Sequence, residues 1–120
     1  MSDEREERAL AYIVGAIEQI AKDVQTDPRA LIEPERMSAR SVLWLLLTLS
    51  DSTTKLSGDL RDRHPEVPWA KVRGFRNFAA HAYDQLRLQV VAAIVQDDLP
   101  VLKRVVEAEL AALRRGRTRS

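Results

Sequence analysis

The chain has no cysteine, so disulfides, zinc–thiolate sites and thiol chemistry are excluded at the outset. It has little punctuation: four glycines and five prolines in 120 residues. Most of them fall between segments of helical periodicity rather than inside them. Aromatics are scarce, six in all, and neither sign of charge is in surplus: 19 Lys and Arg stand against 18 Asp and Glu. That balance argues against nucleic-acid binding by bulk charge and leaves room for a local basic patch. Apolar runs such as Val42 to Leu47 are far too short to span a bilayer. The opening MSDEREER is charged where a secretory signal would be apolar. A cytoplasmic protein without membrane contact is therefore expected.

What is present is helical. Ser2 is a candidate N-cap, followed by Asp3, Glu4 and Glu6, which oppose the helix dipole. Leu10, Ile13, Ile17, Ile20 and Val24 then keep three-four spacing, one buried stripe. Thr26, Asp27 and Pro28 stop it. Pro34 and Glu35 suit the first turn of a second helix reaching about Leu60. Its stretch from Val42 to Leu49 is apolar nearly all round, so neighbours in the chain or a second chain must cover it. Gly58 and then His64-Pro65-Glu66-Val67-Pro68-Trp69 mark a connection, because two prolines so close cannot sit inside a helix. A short helical turn after Pro68, ended by Gly74, is expected.

Later apolar positions run from Val90 to Val95 and from Leu102 to Leu113, interrupted by Asp97, Asp98 and Pro100. That pattern predicts two helices or one kinked helix. The fold class is all-α: an antiparallel bundle of four to five helices. A single domain over 1–115 is expected, with a frayed basic tail at 116–120.

The segment GFRNFAAHAY, residues 74–83, departs from this plain pattern. It holds Phe75, Phe78 and Tyr83, half of the aromatics, beside Arg76, Asn77 and His81. On an ideal helix opening here, Phe75, Phe78, Ala79, Ala82 and Leu86 form the core stripe. Arg76, Tyr83 and Arg87 share one flank, and Asn77 and His81 line up on the other side of the exposed surface. Arg76 and His81, about 140° apart, can border one groove with Ala80 on its floor.

A histidine titrating near neutrality moves protons at physiological pH, and a guanidinium holds phosphate oxygens in two-point contact. Together they suffice for RNA cleavage in which the ribose 2′-hydroxyl attacks the adjacent phosphodiester. That chemistry calls for no metal or cofactor, and no cluster of metal ligands stands out. Two copies of the helix facing each other would bring two Arg and two His to one cleft. His64, between Arg63 and Pro65, reads as an ordinary loop histidine. Trp44 and Trp69 read as core residues, and Arg114, Arg115, Arg117 and Arg119 as a solvated helix end.

The segment from Leu49 to Tyr83 resembles the HepT group of HEPN-domain proteins. There, a helix with a Gly-Glu-Ala-like triplet precedes a His-Pro-x-x-Pro-Trp connection, an Arg-Asn pair and His-x-Tyr. Here the triplet position holds Ser50-Asp51-Ser52, the connection is His64 to Trp69, and Arg76-Asn77, His81 and Tyr83 follow. The resemblance implies a HEPN-like bundle that dimerises, with paired motifs forming a ribonuclease cleft. It implies a toxin of a prokaryotic toxin–antitoxin pair whose partner is an MntA-like minimal nucleotidyltransferase that adenylylates the motif tyrosine.

On that reading Arg76 and His81 are catalytic, Asn77 and Asp51 support them, and Tyr83 accepts AMP. Because Tyr83 shares a flank with Arg76, an attached AMP would compete for the phosphate contact. The alternative is a non-catalytic helical dimer that binds a nucleotidyltransferase or nucleic acid with the motif merely retained.

Overall fold

The computed structural model describes residues 2–80 and 85–119, and every regular element among them is helical. Helix α1 (Ser2–Thr26) packs chiefly on α2 (Met37–Thr53) and α6 (Leu99–Arg119), and α2 packs on α4 (Trp69–Ala80). A single-turn α3 (Gly58–Asp62) lies between α2 and α4, and α5 (Gln85–Ala93) leads into α6. With α5 and α6 counted as one interrupted rod, the helical bundle expected from the sequence is what forms.

Leu10, Ile13, Ile17 and Ile20 of α1 are buried, as their spacing requires, and Val24 packs at the edge of the core. Each fully buried side chain of this size contributes about 1.5–3 kcal/mol by leaving water. Val42, Leu46 and Leu49 of α2, Val72 and Phe75 of α4, and Leu102 and Val106 of α6 complete that core.

The helix limits differ from the sequence expectation in four places, each with a local cause. The second helix starts at Met37 rather than near Pro34, because Arg36 is extended. Its guanidinium bonds Asp27 at 2.8 Å and Glu33 at 3.4 Å, which holds the chain out of the helix. That helix also stops at Thr53 instead of reaching Leu60. Thr53 and Thr54 hydroxyls donate to the carbonyls of Ser50 and Asp51, competing with the helical ladder. Ser57 then caps a new helix by accepting from the Leu60 N–H.

Third, Gly74 ends nothing: α4 begins at Trp69 and runs through it to Ala80, so residues 74–80 continue a helix instead of opening one. Fourth, α6 carries on to Arg119, past the boundary drawn at 115. The interruption expected at Asp97, Asp98 and Pro100 is a π-turn, Ile94–Asp98. Pro100 has no N–H to give back to the preceding turn, and a widened turn lies just ahead of it.

Two of the expected core aromatics are placed otherwise. Trp44 is 64% exposed, on the outer face of α2, because Val42, Leu46 and Leu49 already fill the inward face. Phe78 is 37% exposed, while Phe75 and Ala79 of the same expected stripe are buried. Trp69 does pack against the core, and its Nε1–H donates to the carbonyls of Arg61 and His64, two acceptors at the end of α3.

Candidate active site

Helix α4 is fastened to its neighbours before it reaches the motif residues. Ser50, fully buried on α2, places its hydroxyl between two α4 carbonyls, donating toward Val72 O at 2.9 Å and Arg73 O at 3.0 Å. Lys71 reaches the shielded Asp98 of the π-turn at 2.7 Å. A few residues earlier the connection itself is clamped to α6. Arg63 donates to both carboxylate oxygens of Glu109, at 2.7 and 3.3 Å, and His64 Nε2 lies on the same carboxylate. His64 Nδ1 faces Glu66 at 3.5 Å. The Arg63 guanidinium, and after it His64, hold Glu109 below the usual carboxylate range. His64 is thus consumed by structure, as the loop reading supposed.

One turn beyond Val72 stands Arg76. Its side chain is 62% exposed, and its guanidinium touches Asp51 Oδ1 at 3.3 Å. The two residues are 25 positions apart in the chain, and the packing of α2 on α4 brings them together. An exposed pair of this kind adds about 0–1 kcal/mol to stability. Its consequence is orientation: the carboxylate steers a cation that remains open to solvent and to a ligand.

Asn77 is exposed next to it on α4. His81, Ala82, Tyr83 and Asp84 lie outside the described residues, as does the side chain of Leu86. The grouping of His81 and Tyr83 with Arg76 therefore stays an expectation, and Arg87 belongs to α5.

The Ser50-Asp51-Ser52 triplet gains distinct roles from this geometry. Ser50 grips the helix that carries the arginine, Asp51 aims the arginine, and Ser52 is buried at their side. The motif alone marks Asp51 as a supporting residue; its contact with Arg76 is written in neither local pattern. Reading along α2 from Asp51, Trp44 and Met37 recur at seven-residue steps, close to two full turns each, so all three lie in one line on its outer face. Both apolar members of that line are exposed.

A family model described as "Ribonuclease HepT-like" matches residues 1–109. The chain belongs to the HepT-like ribonuclease family. Two relatives agree with that placement. The first is named "Putative RNase MJ1380", from Methanocaldococcus jannaschii, 29% identical over 72 residues, which cover 60% of this chain and 66% of the relative. The second is named "Probable ribonuclease HepT", from Thermococcus cleftensis, 29% identical over 63 residues, 52% of this chain and 57% of the relative. The matched part is thus less than two thirds of either relative's length. No solved structure matches the chain at a significant level. Among the described residues, no helix is long and apolar enough to cross a membrane.

Proposed function

We propose that this HepT-like protein is an endoribonuclease toxin of a HEPN/MNT toxin–antitoxin pair, cleaving RNA without a metal ion through Arg76 and His81 in a dimer cleft. The observation that carries the reading is the exposed Arg76 guanidinium, oriented by Asp51 at 3.3 Å on a helix fixed at its root. His81 takes the proton from the ribose 2′-hydroxyl or returns one to the leaving 5′-oxygen. Arg76 binds the phosphate and offsets the charge that develops as the 2′-oxygen attacks phosphorus. Asn77, one turn before His81, orients the imidazole.

The dimer would form over the exposed line Met37–Trp44–Asp51 of α2, which runs directly to the pair. An apolar line ending at a charged pair suits a subunit interface with a polar, substrate-accepting margin. Control would come from an MntA-like nucleotidyltransferase that transfers AMP to Tyr83, adding bulk and negative charge beside the arginine.

The deciding experiment is intact mass and peptide mapping of the protein expressed with and without a neighbouring nucleotidyltransferase, together with growth inhibition by wild type and His81→Ala. AMP on Tyr83 only in co-expression, and loss of toxicity in a folded His81→Ala, are expected. Equal growth inhibition by the two forms would replace catalysis with the non-catalytic partner-binding role.

A further inference from the structure

Asp51 belongs to two features at once. It contacts Arg76, and it lines an open cavity of about 660 Å³ between the start of α1 and the end of α2. The cavity wall on α1 is Arg5, Arg8 and Tyr12, spaced by three and four residues and so on one face, over about 10 Å of helix. The opposite wall brings Thr48 and Lys55. Arg5, Arg8 and Lys55 are exposed, and none of them pairs with a carboxylate among the described residues.

Three unpaired cations converging on one cavity repel one another, and the one carboxylate among these lining residues, Asp51, is already engaged by Arg76. In a chain of net charge +1 this is a local concentration of charge that a bound anion would neutralise. The aromatic ring in the wall is held ready. Tyr12 is 42% exposed, and its hydroxyl donates to Thr48 Oγ1 at 2.6 Å, which in turn donates to the Leu45 carbonyl. The ring is thereby fixed at its tip with part of its surface open.

We infer that this cavity is a binding subsite for the single-stranded RNA flanking the scissile phosphate. Arg5, Arg8 and Lys55 take backbone phosphates, and Tyr12 stacks one unpaired base. The inference rests on the ribonuclease reading of Arg76. A row of cations beside one fixed aromatic is how sequence-tolerant proteins hold a single strand. The shared residue Asp51 makes the subsite continuous with the arginine, so one strand can occupy both. A duplex, with its bases stacked internally, has none to offer Tyr12.

The test separates binding from cleavage. A fluorescein-labelled 2′-O-methyl RNA of about 12 nucleotides cannot be cut, because it has no 2′-hydroxyl nucleophile, so its anisotropy reports binding without cleavage. The triple variant Arg5→Ala/Arg8→Ala/Lys55→Ala is expected to bind it at least tenfold more weakly. The slope of log affinity against log salt should fall by about 2, near 0.7 per lost phosphate contact on a single strand. Tyr12→Ala should lose about tenfold and Tyr12→Phe little, since the ring remains. The same strand annealed to its complement should bind more weakly than alone.

Cleavage is then compared on the unmodified 12-mer and on a dinucleoside monophosphate. The triple variant should lose activity on the long substrate through KM and lose far less on the short one, which is too short to reach the subsite. Unchanged affinity and salt slope in the triple variant would overturn the subsite whatever the enzyme cleaves. Wild type that binds the strand but cuts neither RNA would leave the subsite standing and sink the ribonuclease reading instead.

Discussion

Two arginine–carboxylate pairs, 13 residues apart in their arginines, bracket the root of α4, and they are built in opposite ways. Arg63 grips both oxygens of Glu109, a carboxylate only 14% exposed that His64 also contacts. Arg76 touches a single oxygen of a half-exposed Asp51, and most of its side chain stays in solvent. In the first cluster the arginine, the histidine and the acid satisfy one another. In the second, hydrogen-bonding capacity is left over. A motif rich in Arg and His is thus a candidate site only where the surroundings leave such capacity unused.

The largest effect that would test this contrast is on catalysis. Arg76→Ala should lower RNA cleavage by about 100- to 1,000-fold, the loss typical of removing a transition-state hydrogen-bond donor. Its urea-unfolding free energy should stay within about 0.5 kcal/mol of wild type, because the pair it breaks is exposed. Comparable losses of stability and activity would place Arg76 with the structural cluster.

Glu109→Ala should show the reverse. It leaves the half-buried His64 without this acid while the exposed Arg63 regains water, and should lower unfolding free energy by about 1–2 kcal/mol. Cleavage by the folded fraction at low temperature should change little. A variant as stable as wild type would show that the clamp does not hold α4.

Acid should act on the same cluster. Glu109 in the native state titrates below the ordinary glutamate value of 4.5, chiefly through Arg63, and Glu66 is shifted the same way by a backbone N–H and by His64. A carboxylate with a depressed native pKa contributes stability that is complete above its unfolded value. That contribution is lost as pH falls through the native one. Wild type should therefore lose stability steeply below about pH 4.5, and Glu109→Ala should show a shallower decline in the same range. Parallel pH curves would remove Glu109 as the source.

The smallest expected effect concerns the point between the clusters. An added Cβ at Gly74 meets nothing within 4 Å in this chain. Gly74→Ala should raise unfolding free energy by about 0.5–1 kcal/mol, read from the urea midpoint. Destabilisation instead would show that a neighbouring subunit approaches that open side.

The same contrast explains how much of the molecule could be read from its sequence. The α1 stripe was legible because Leu10, Ile13, Ile17 and Ile20 all face one core, so period and burial coincide. Gly74 was misleading, since a glycine inside a helix carries a cost in isolation and the sequence does not reveal the packing of Val72 and Phe75 on either side. Trp44 was misplaced because an all-apolar segment does not state which of its sides stays outside.

Within the candidate site, the exposure of Arg76 followed from helical phase. Its contact with Asp51 needed tertiary structure, because pairing across 25 residues has no local signature. The Arg5, Arg8 and Tyr12 face did have one, a three-four spacing of two arginines and a tyrosine within an acidic leader. In the sequence that face is interleaved with Glu4, Glu6 and Glu7, whose charges mask it.

Ser50 has a mechanical consequence as well. Its single hydroxyl bridges to the first turns of α4, and residues from Val72 to Ala80 extend about 12 Å beyond that grip. A helix pivoting there by 5° would carry its far end through roughly 1 Å, a misplacement of the order that can cost a hundredfold in rate. Alongside the core packing of Phe75 and Ala79, one buried serine therefore helps set the aim of the far end of α4, some distance from any group that would touch RNA.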